Sequence, residues 1–288
     1  MPAAKPGATD RRIQFRGDTP YRDPDGMGAF RTVCDYSHMN FDDPLVYPGQ
    51  RNATHLHVFF GNTATDANST PESIRTSGGS SCRGGIVNRS SYWVPAMIDT
   101  RDGRPIQPRS DIDVYYKTGY LLGTLLNGSV QPFPAGFRMI GGDSKSRVAQ
   151  RHMYYSCHNG SGDSPTIPNC PGGELWQIVE FPQCWDGRNL DSPDHRSHVV
   201  YPSGGRCPAS HPVMLPQVSY HVKYDVPASG ASTWRLSSDI DGAPAGSSGH
   251  GDWVNGWEQE VMETFVSRIV NLGLSGGSHI VGDGRIIY

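Results

Sequence analysis

The chain is short of charge and of long hydrophobic runs. Only 18% of its 288 residues are Asp, Glu, Lys or Arg, the net charge is −3, and no basic cluster occurs anywhere. Proteins that grip nucleic acid neutralise phosphates with clustered Lys and Arg, so no nucleic-acid partner is expected. No apolar stretch approaches the roughly 20 residues that cross a bilayer, so no membrane partner is expected either. None of the six cysteines sits in a Cys-x-x-Cys pair, which argues against a thiolate zinc site. There is no Gly-x-Ser-x-Gly elbow for a serine nucleophile. The glycine-bearing loops at Gly61-Asn62, Arg83-Gly84-Gly85 and Gly141-Gly142 lack the strand–loop–helix spacing of a phosphate cradle. Helical periodicity is scarce too.

Turns are plentiful. The 35 Gly and 23 Pro point to short strands joined by loops rather than long helices. Strand-like runs fall at 29–34, 55–60, 92–98, 112–116, 136–140, 175–181, 197–201, 213–226 and 232–237, with turn clusters between them. The expected fold is mainly β, an antiparallel sandwich or distorted barrel with long loops, in one domain over 27–288. Residues 1–26 are charged, rich in Gly and Pro and without periodicity, and read as a flexible leader. One C-terminal amphipathic helix is predicted, since Val254, Trp257, Val261, Phe265 and Ile269 recur at helical spacing, with Asp252 or Asn255 as its cap. Its apolar stripe is assigned to core packing.

The cysteine count is even, and Cys157/Cys170 and Cys184/Cys207 are spaced like closed loops. Three disulfides and a secreted, extracellular location are expected; buried free thiols in a cytosolic protein are the alternative. The first residues carry no apolar signal core, so export implies a signal already removed. Glycosylation triplets occur at Asn52, Asn68, Asn88, Asn127 and Asn159 and matter only in a eukaryotic host.

Histidine is what the chain has in excess, with eleven copies. In Thr54-His55-Leu56-His57-Val58-Phe59-Phe60 two of them stand two residues apart within a strand-like run, so both point to one face. Other histidines sit beside acids: Asp191-Ser-Pro-Asp-His195-Arg-Ser-His198 and Gly249-His250-Gly-Asp252. A histidine whose second nitrogen is held by a carboxylate has a fixed tautomer and raised basicity, which suits a metal ligand or a general base. Two chemistries follow. In the metal reading His55 and His57 bind zinc or copper, with His250, His198 or Asp252 completing an open site. In the glycan reading, which needs no cofactor, two carboxylates flank a scissile bond and aromatic faces hold the sugar. Candidate acids are Asp42, Asp43, Asp99, Asp186, Asp191 and Asp252; candidate platforms are Tyr92, Trp93, Trp185, Trp253 and Trp257. Taken alone, Asp42/Asp43 before Pro44 and Asp186 before Gly187 read as turn residues.

Several ordered blocks resemble one family. They include Phe41-Asp-Asp-Pro-Leu-Val-Tyr-Pro-Gly, His55-Leu-His-Val-Phe-Phe-Gly-Asn, Cys82-Arg-Gly and Ser91-Tyr-Trp-Val-Pro-Ala. Cys184-Trp-Asp-Gly-Arg-Asn-Leu-Asp-Ser-Pro-Asp-His, Ser197-His-Val-Val-Tyr-Pro, Cys207-Pro-x-x-His-Pro-Val-x-Leu-Pro and His250-Gly-Asp-Trp-Val-Asn-Gly-Trp continue the series. From about Phe30 to Leu272 the chain is similar to the secreted domain-of-unknown-function family numbered nineteen-ninety-six, of fungi and actinobacteria. That family's domain is often joined to WSC or carbohydrate-binding modules, so the resemblance implies a polysaccharide context by association. Relatives often carry a cysteine at the end of the C-terminal helix; this chain has none over 261–274.

The leading expectation is therefore a secreted glycoside hydrolase acting on a cell-wall polysaccharide, with an eliminative lyase as its variant. Asp252 with Asp43, Asp186 or Asp191 would supply the carboxylates, while His55, His57 and His198 tune them and hold hydroxyls. Trp93, Trp185, Tyr201, Trp253 and Trp257 would bind substrate. The alternatives are a zinc or copper protein built on His55, His57 and His250, and a non-catalytic carbohydrate-binding module.

Overall fold

Short strands dominate because the sequence alternates apolar and polar residues over five to seven positions and then turns. The computed structural model describes residues 1–119, 130–158 and 162–288. The principal strands are β1 (Ile13–Asp18), β2 (Ala29–Cys34), β3 (Tyr36–Asn40), β4 (His57–Gly61), β5 (Ser91–Pro95) and β6 (Ile112–Lys117). They continue as β7 (Arg138–Gly142), β8 (Met153–Cys157), β9 (Glu174–Glu180), β10 (Gln217–Asp225), β11 (His250–Val254) and β12 (Gly284–Ile287). Among the described residues two α-helices accompany them, α1 (Pro71–Thr76) and α2 (Gln259–Arg268).

Two antiparallel sheets carry the architecture. One has five strands in the order β3-β4-β5-β11-β7. The other has six, the two-residue strand Asp163–Ser164 followed by β8-β9-β10-β6-β2. Their inner faces interdigitate in a sandwich-like core, and no sheet closes into a barrel among the described residues. Aromatic hydroxyls stitch the layers: Tyr92 on β5 meets Tyr116 on β6 at 2.8 Å, and Trp257 donates to that Tyr116 oxygen at 3.0 Å. Tyr220 on β10 donates to the Asp252 carbonyl at 2.9 Å. Each hydroxyl is thereby satisfied where burial would otherwise penalise it.

A second, smaller apolar cluster lies on the opposite face of the five-stranded sheet. Phe59, Trp93, Ile140 and Val254 meet Leu45 and Ile74 there. Strand alternation explains the division. In His250-Gly-Asp-Trp-Val, Trp253 faces the main core, while His250, Asp252 and Val254 face the other way.

Several expectations are corrected. Residues 1–26 do not trail as a leader: β1 pairs with β12, and the Ala8 N–H donates to the Ser80 carbonyl at 2.8 Å. Their polar composition concealed an edge strand. The helix begins at Gln259, not near Asp252, and neither Asp252 nor Asn255 caps it, because residues 250–254 belong to β11. The apolar stripe was real from Val261 onward, where Val261, Met262, Phe265 and Val266 are buried and Phe265 stacks on Phe30 at 4.2 Å. Val254 joined that periodicity by coincidence. The strand predicted over 55–60 starts at His57, so His55 precedes it.

The cysteines pair as Cys34–Cys82, Cys157–Cys170 and Cys184–Cys207. The first spans 48 residues and stabilises by about 4 kcal/mol on the chain-entropy account. No described helix is long and apolar enough to cross a membrane. Of the glycosylation triplets, Asn88 is sealed in the core and donates to Tyr92, so it is closed to modification. Asn127 and Asn159 lie outside the described residues.

Candidate metal centre

Three histidines from two distant parts of the chain meet at one end of the five-stranded sheet. Each of His55, His57 and His250 offers one ring nitrogen, and these nitrogens lie within 4.8 Å of one another. His57 opens β4 and His250 opens β11, with β5 between them. His55 folds back from the bend before β4, and its ring centroid is 4.3 Å from that of His57 and 5.0 Å from that of His250.

Hydrogen bonds set the tautomers. The His57 Nδ1–H donates to the Asp42 carbonyl at 3.1 Å, and the His250 Nδ1–H donates to the Ser248 carbonyl at 2.9 Å. A carbonyl only accepts, so both protons sit on Nδ1 and both Nε2 atoms carry lone pairs. The His57 Nε2 is buried without any partner. The His55 Nε2 lies 3.2 Å from the His250 Nε2. Two imidazole nitrogens held by one tetrahedral zinc at ~2.0–2.1 Å stand about 3.3 Å apart. The donor set, three imidazoles and no thiolate, fits zinc or copper with a position left open.

Burial keeps all three rings neutral. It lowers His55 to about 4 and His250 to about 3, and it drives His57 well below the usual histidine range, assisted by the two neighbouring rings. The Asp42 carboxylate, which the sequence read as a turn residue, accepts from Asn52 N–H and Ala67 N–H at 2.8 and 3.1 Å. Those bonds fix the carbonyl that orients His57, the supporting role outer partners play around metal ligands.

Beside the histidines lies the carboxyl of Asp252. It is 1% exposed, neither oxygen has a hydrogen-bond partner, and one stands 3.9 Å from the His250 Nε2. Burial, then the nearby Asp43, push its pKa well above the ordinary carboxylate value. Asp43 is raised by burial as well, against the N–H groups of Val46 and Leu45 that its Oδ1 accepts. Both acids, His55 and His250 line an open cavity of about 570 Å³, together with Val46, Tyr47, Asp143, Lys145, His195 and Arg196.

The other expected site residues lie elsewhere. Asp186 accepts from Arg188 N–H, Asn189 N–H and the Asn189 amide, closing an exposed turn away from the cavity. Asp191 is gripped by Arg138 at 2.8 Å and by His195 at 2.9 Å and borders a separate small pocket. His198 is buried with both nitrogens occupied, by the Arg138 carbonyl at 2.8 Å and the Ser192 hydroxyl at 2.9 Å, so it is no ligand or base. It locks the 191–198 loop. Trp93, Trp253 and Trp257 are core residues, at most 2% exposed, and cannot form sugar platforms. Trp185 packs on Phe137 and donates to the Asn189 carbonyl, while Tyr201 stacks on His152 and donates to the Glu180 carbonyl. Neither lines the cavity. Among the residues that do, the sequence reading passed over Tyr47, Val46, Lys145 and Arg196. Arg196 stood between two histidines already singled out, which was the available signal.

One consequence is acid sensitivity. Each imidazole titrates near 6.5 when unfolded and far lower when folded, so the unfolded chain takes up more protons between those values. Stability in metal-free protein is therefore full above pH 6.5 and is lost as pH falls toward 4, with His55 alone contributing about 3 kcal/mol. Asp252 and Asp43 act in the opposite sense, because their folded pKa values are raised, but they are two carboxyls against three imidazoles. Denaturant midpoints in chelator at pH 7, 5.5 and 4 should fall steadily; a flat profile would contradict this arrangement.

The fold and site define a disulfide-bonded, sandwich-like β protein with a three-histidine candidate metal centre. Residues 43–257 match the family described as "Domain of unknown function (DUF1996)". The match covers most of the chain and every residue of the centre, and the protein belongs to that family. No curated protein and no solved structure matches it.

Proposed function

We propose that this protein is a metal-dependent enzyme that cleaves an extracellular polysaccharide, with the ion held by His55, His57 and His250. One observation carries the reading: two of three clustered imidazoles have their outer nitrogens pinned to backbone carbonyls, so their inner lone pairs turn toward the His55 ring, and the His57 Nε2 meets no donor at all. A cation among the three rings would engage the buried His57 Nε2, which no donor reaches. A bound zinc or copper ion would supply Lewis acidity and lower the pKa of a water.

The remaining work falls to the chain itself. Asp252, buried and unpartnered at the cavity floor, is placed to accept or return a proton during bond cleavage. Asp43 keeps one oxygen engaged by Leu45 and Val46 N–H groups, which fixes the direction of the carboxyl. Tyr47, 38% exposed at the cavity wall, offers a ring face to a sugar. The polysaccharide assignment is supported by the family's association with carbohydrate-binding modules and by the open, mixed polar and apolar character of the cavity. Glycoside hydrolysis is the leading reaction and elimination its variant. Three disulfides support a site of action outside the cell.

The test is release of new reducing ends from a panel of fungal and plant wall polysaccharides. Activity should vanish on chelation and return with one of zinc or copper. Turnover that survives complete metal removal would overturn the metal-dependent reading; metal binding with no released sugar from any glycan would overturn the enzymatic one.

A further inference from the structure

The side chains of two cations at the cavity form no ion pair among the described residues, although Asp43 and Asp252 line the same cavity. Arg196 is half-buried, and the one hydrogen bond of its side chain among the described residues is from Nη1 to the Gly142 carbonyl. A guanidinium has five N–H donors, so most of this one is unspent. Lys145 is exposed, and its ammonium makes no hydrogen bond or ion pair with any described residue. The acids at the rim are engaged elsewhere: Asp194 accepts from Ser192, Ser197 and the Arg196 N–H, and Asp143 accepts from the Lys145 N–H.

The arginine is also held in place rather than loosely tethered. His195 adopts a left-handed backbone (φ 56°), and its ring is tied to Asp191. Together with the bonds to Asp194, this turn fixes the origin of the Arg196 side chain. The far end rests on Gly142, at φ +78°, where an added Cβ would come within 2.5 Å of the Gly249 carbonyl. Gly142 pairs directly with His250 across the sheet, so the guanidinium is anchored beside the histidine cluster. A partly dehydrated guanidinium with unused donors and no ion-pair partner in contact gains from an anion that reaches it from outside.

We propose that the cavity takes an anionic sugar unit, its carboxylate or sulfate gripped by Arg196 and Lys145 while Tyr47 and Val46 cover the ring. This deepens the polysaccharide reading above and rests on it for the sugar, but not for the charge.

The experiment is calorimetric titration of zinc-loaded protein with three probes of equal length: a galacturonate hexamer, its fully methyl-esterified form, and a dextran sulfate oligomer. The wild type should bind at least one of the two anions about tenfold or more tightly than the neutral ester. The Arg196→Gln/Lys145→Gln double variant should lose that preference while its zinc affinity, read by chelator competition, stays the same. A uronate preference and a sulfate preference both support the inference, and each names its source. Equal affinities in the wild type, or a preference that survives both substitutions, would overturn it. Should the wild type fail to bind zinc, the metal reading falls by itself. The same comparison on metal-free protein then decides the cation pair.

Discussion

Replacing His57 by alanine is expected to weaken zinc binding about a hundredfold or more. The proposed centre offers three protein ligands, and His57 is the most deeply enclosed of them, with no exposure and no partner on its Nε2. Zinc sites with four ligands bind with roughly 10–16 kcal/mol, so one ligand carries on the order of 3 kcal/mol, or a factor above ~100 in affinity. His250→Ala should act alike. His55→Ala removes a ligand at the half-exposed rim, where the void left behind is open to water, and separates lost coordination from lost folding. Competition against a chromophoric chelator reads the affinity, and a thermal melt checks the fold. Wild-type zinc affinity in a folded His55→Ala and a folded His57→Ala protein would remove the centre from consideration.

Asp252→Asn is expected to lower turnover by about 10²–10⁴, the range for a positioned acid–base group, while metal affinity changes by less than about tenfold. Asparagine keeps the shape but cannot exchange a proton. The carboxyl has no hydrogen bond to lose, so the fold should tolerate the change. The two readouts divide the possibilities. Full turnover in Asp252→Asn would strike this residue from the chemistry. A collapse of metal affinity alongside turnover would make Asp252 a fourth ligand, which its 3.9 Å distance from the His250 Nε2 allows with a small shift.

Much of this was legible in the residues. The class of fold followed from turn chemistry and short alternating runs, and the Cys157/Cys170 and Cys184/Cys207 pairs followed from their spacing. His55 and His57 were flagged by a two-residue interval in a strand-like run, and they do meet, although His55 reaches the site from a bend rather than from the strand itself. Other readings failed for identifiable reasons. Trp253 and Trp257 resembled sugar platforms because aromatic side chains serve cores and ligands equally well, and sequence carries no record of which side of a sheet is covered. His198 resembled a ligand because a histidine that bonds only backbone and a serine looks, in sequence, like one that is free. Asp252 was read near a helix start, since Val254 happened to extend the stripe of α2.

The sequence by itself determined the local material: which runs extend, where they turn, that the cysteines are even in number and spaced to close loops, and that imidazoles are unusually concentrated. Those are properties of neighbours along the chain, and short-range periodicity records them. Only the tertiary structure decided that β11 pairs beside β5, two strands from His57, and so brings His250 and Asp252 to residues nearly two hundred positions away. Strand order depends on how two apolar faces can be closed over each other, a choice made by the whole core at once. That same closure sets which histidines lose their water and stay neutral, and which aromatics disappear from the surface.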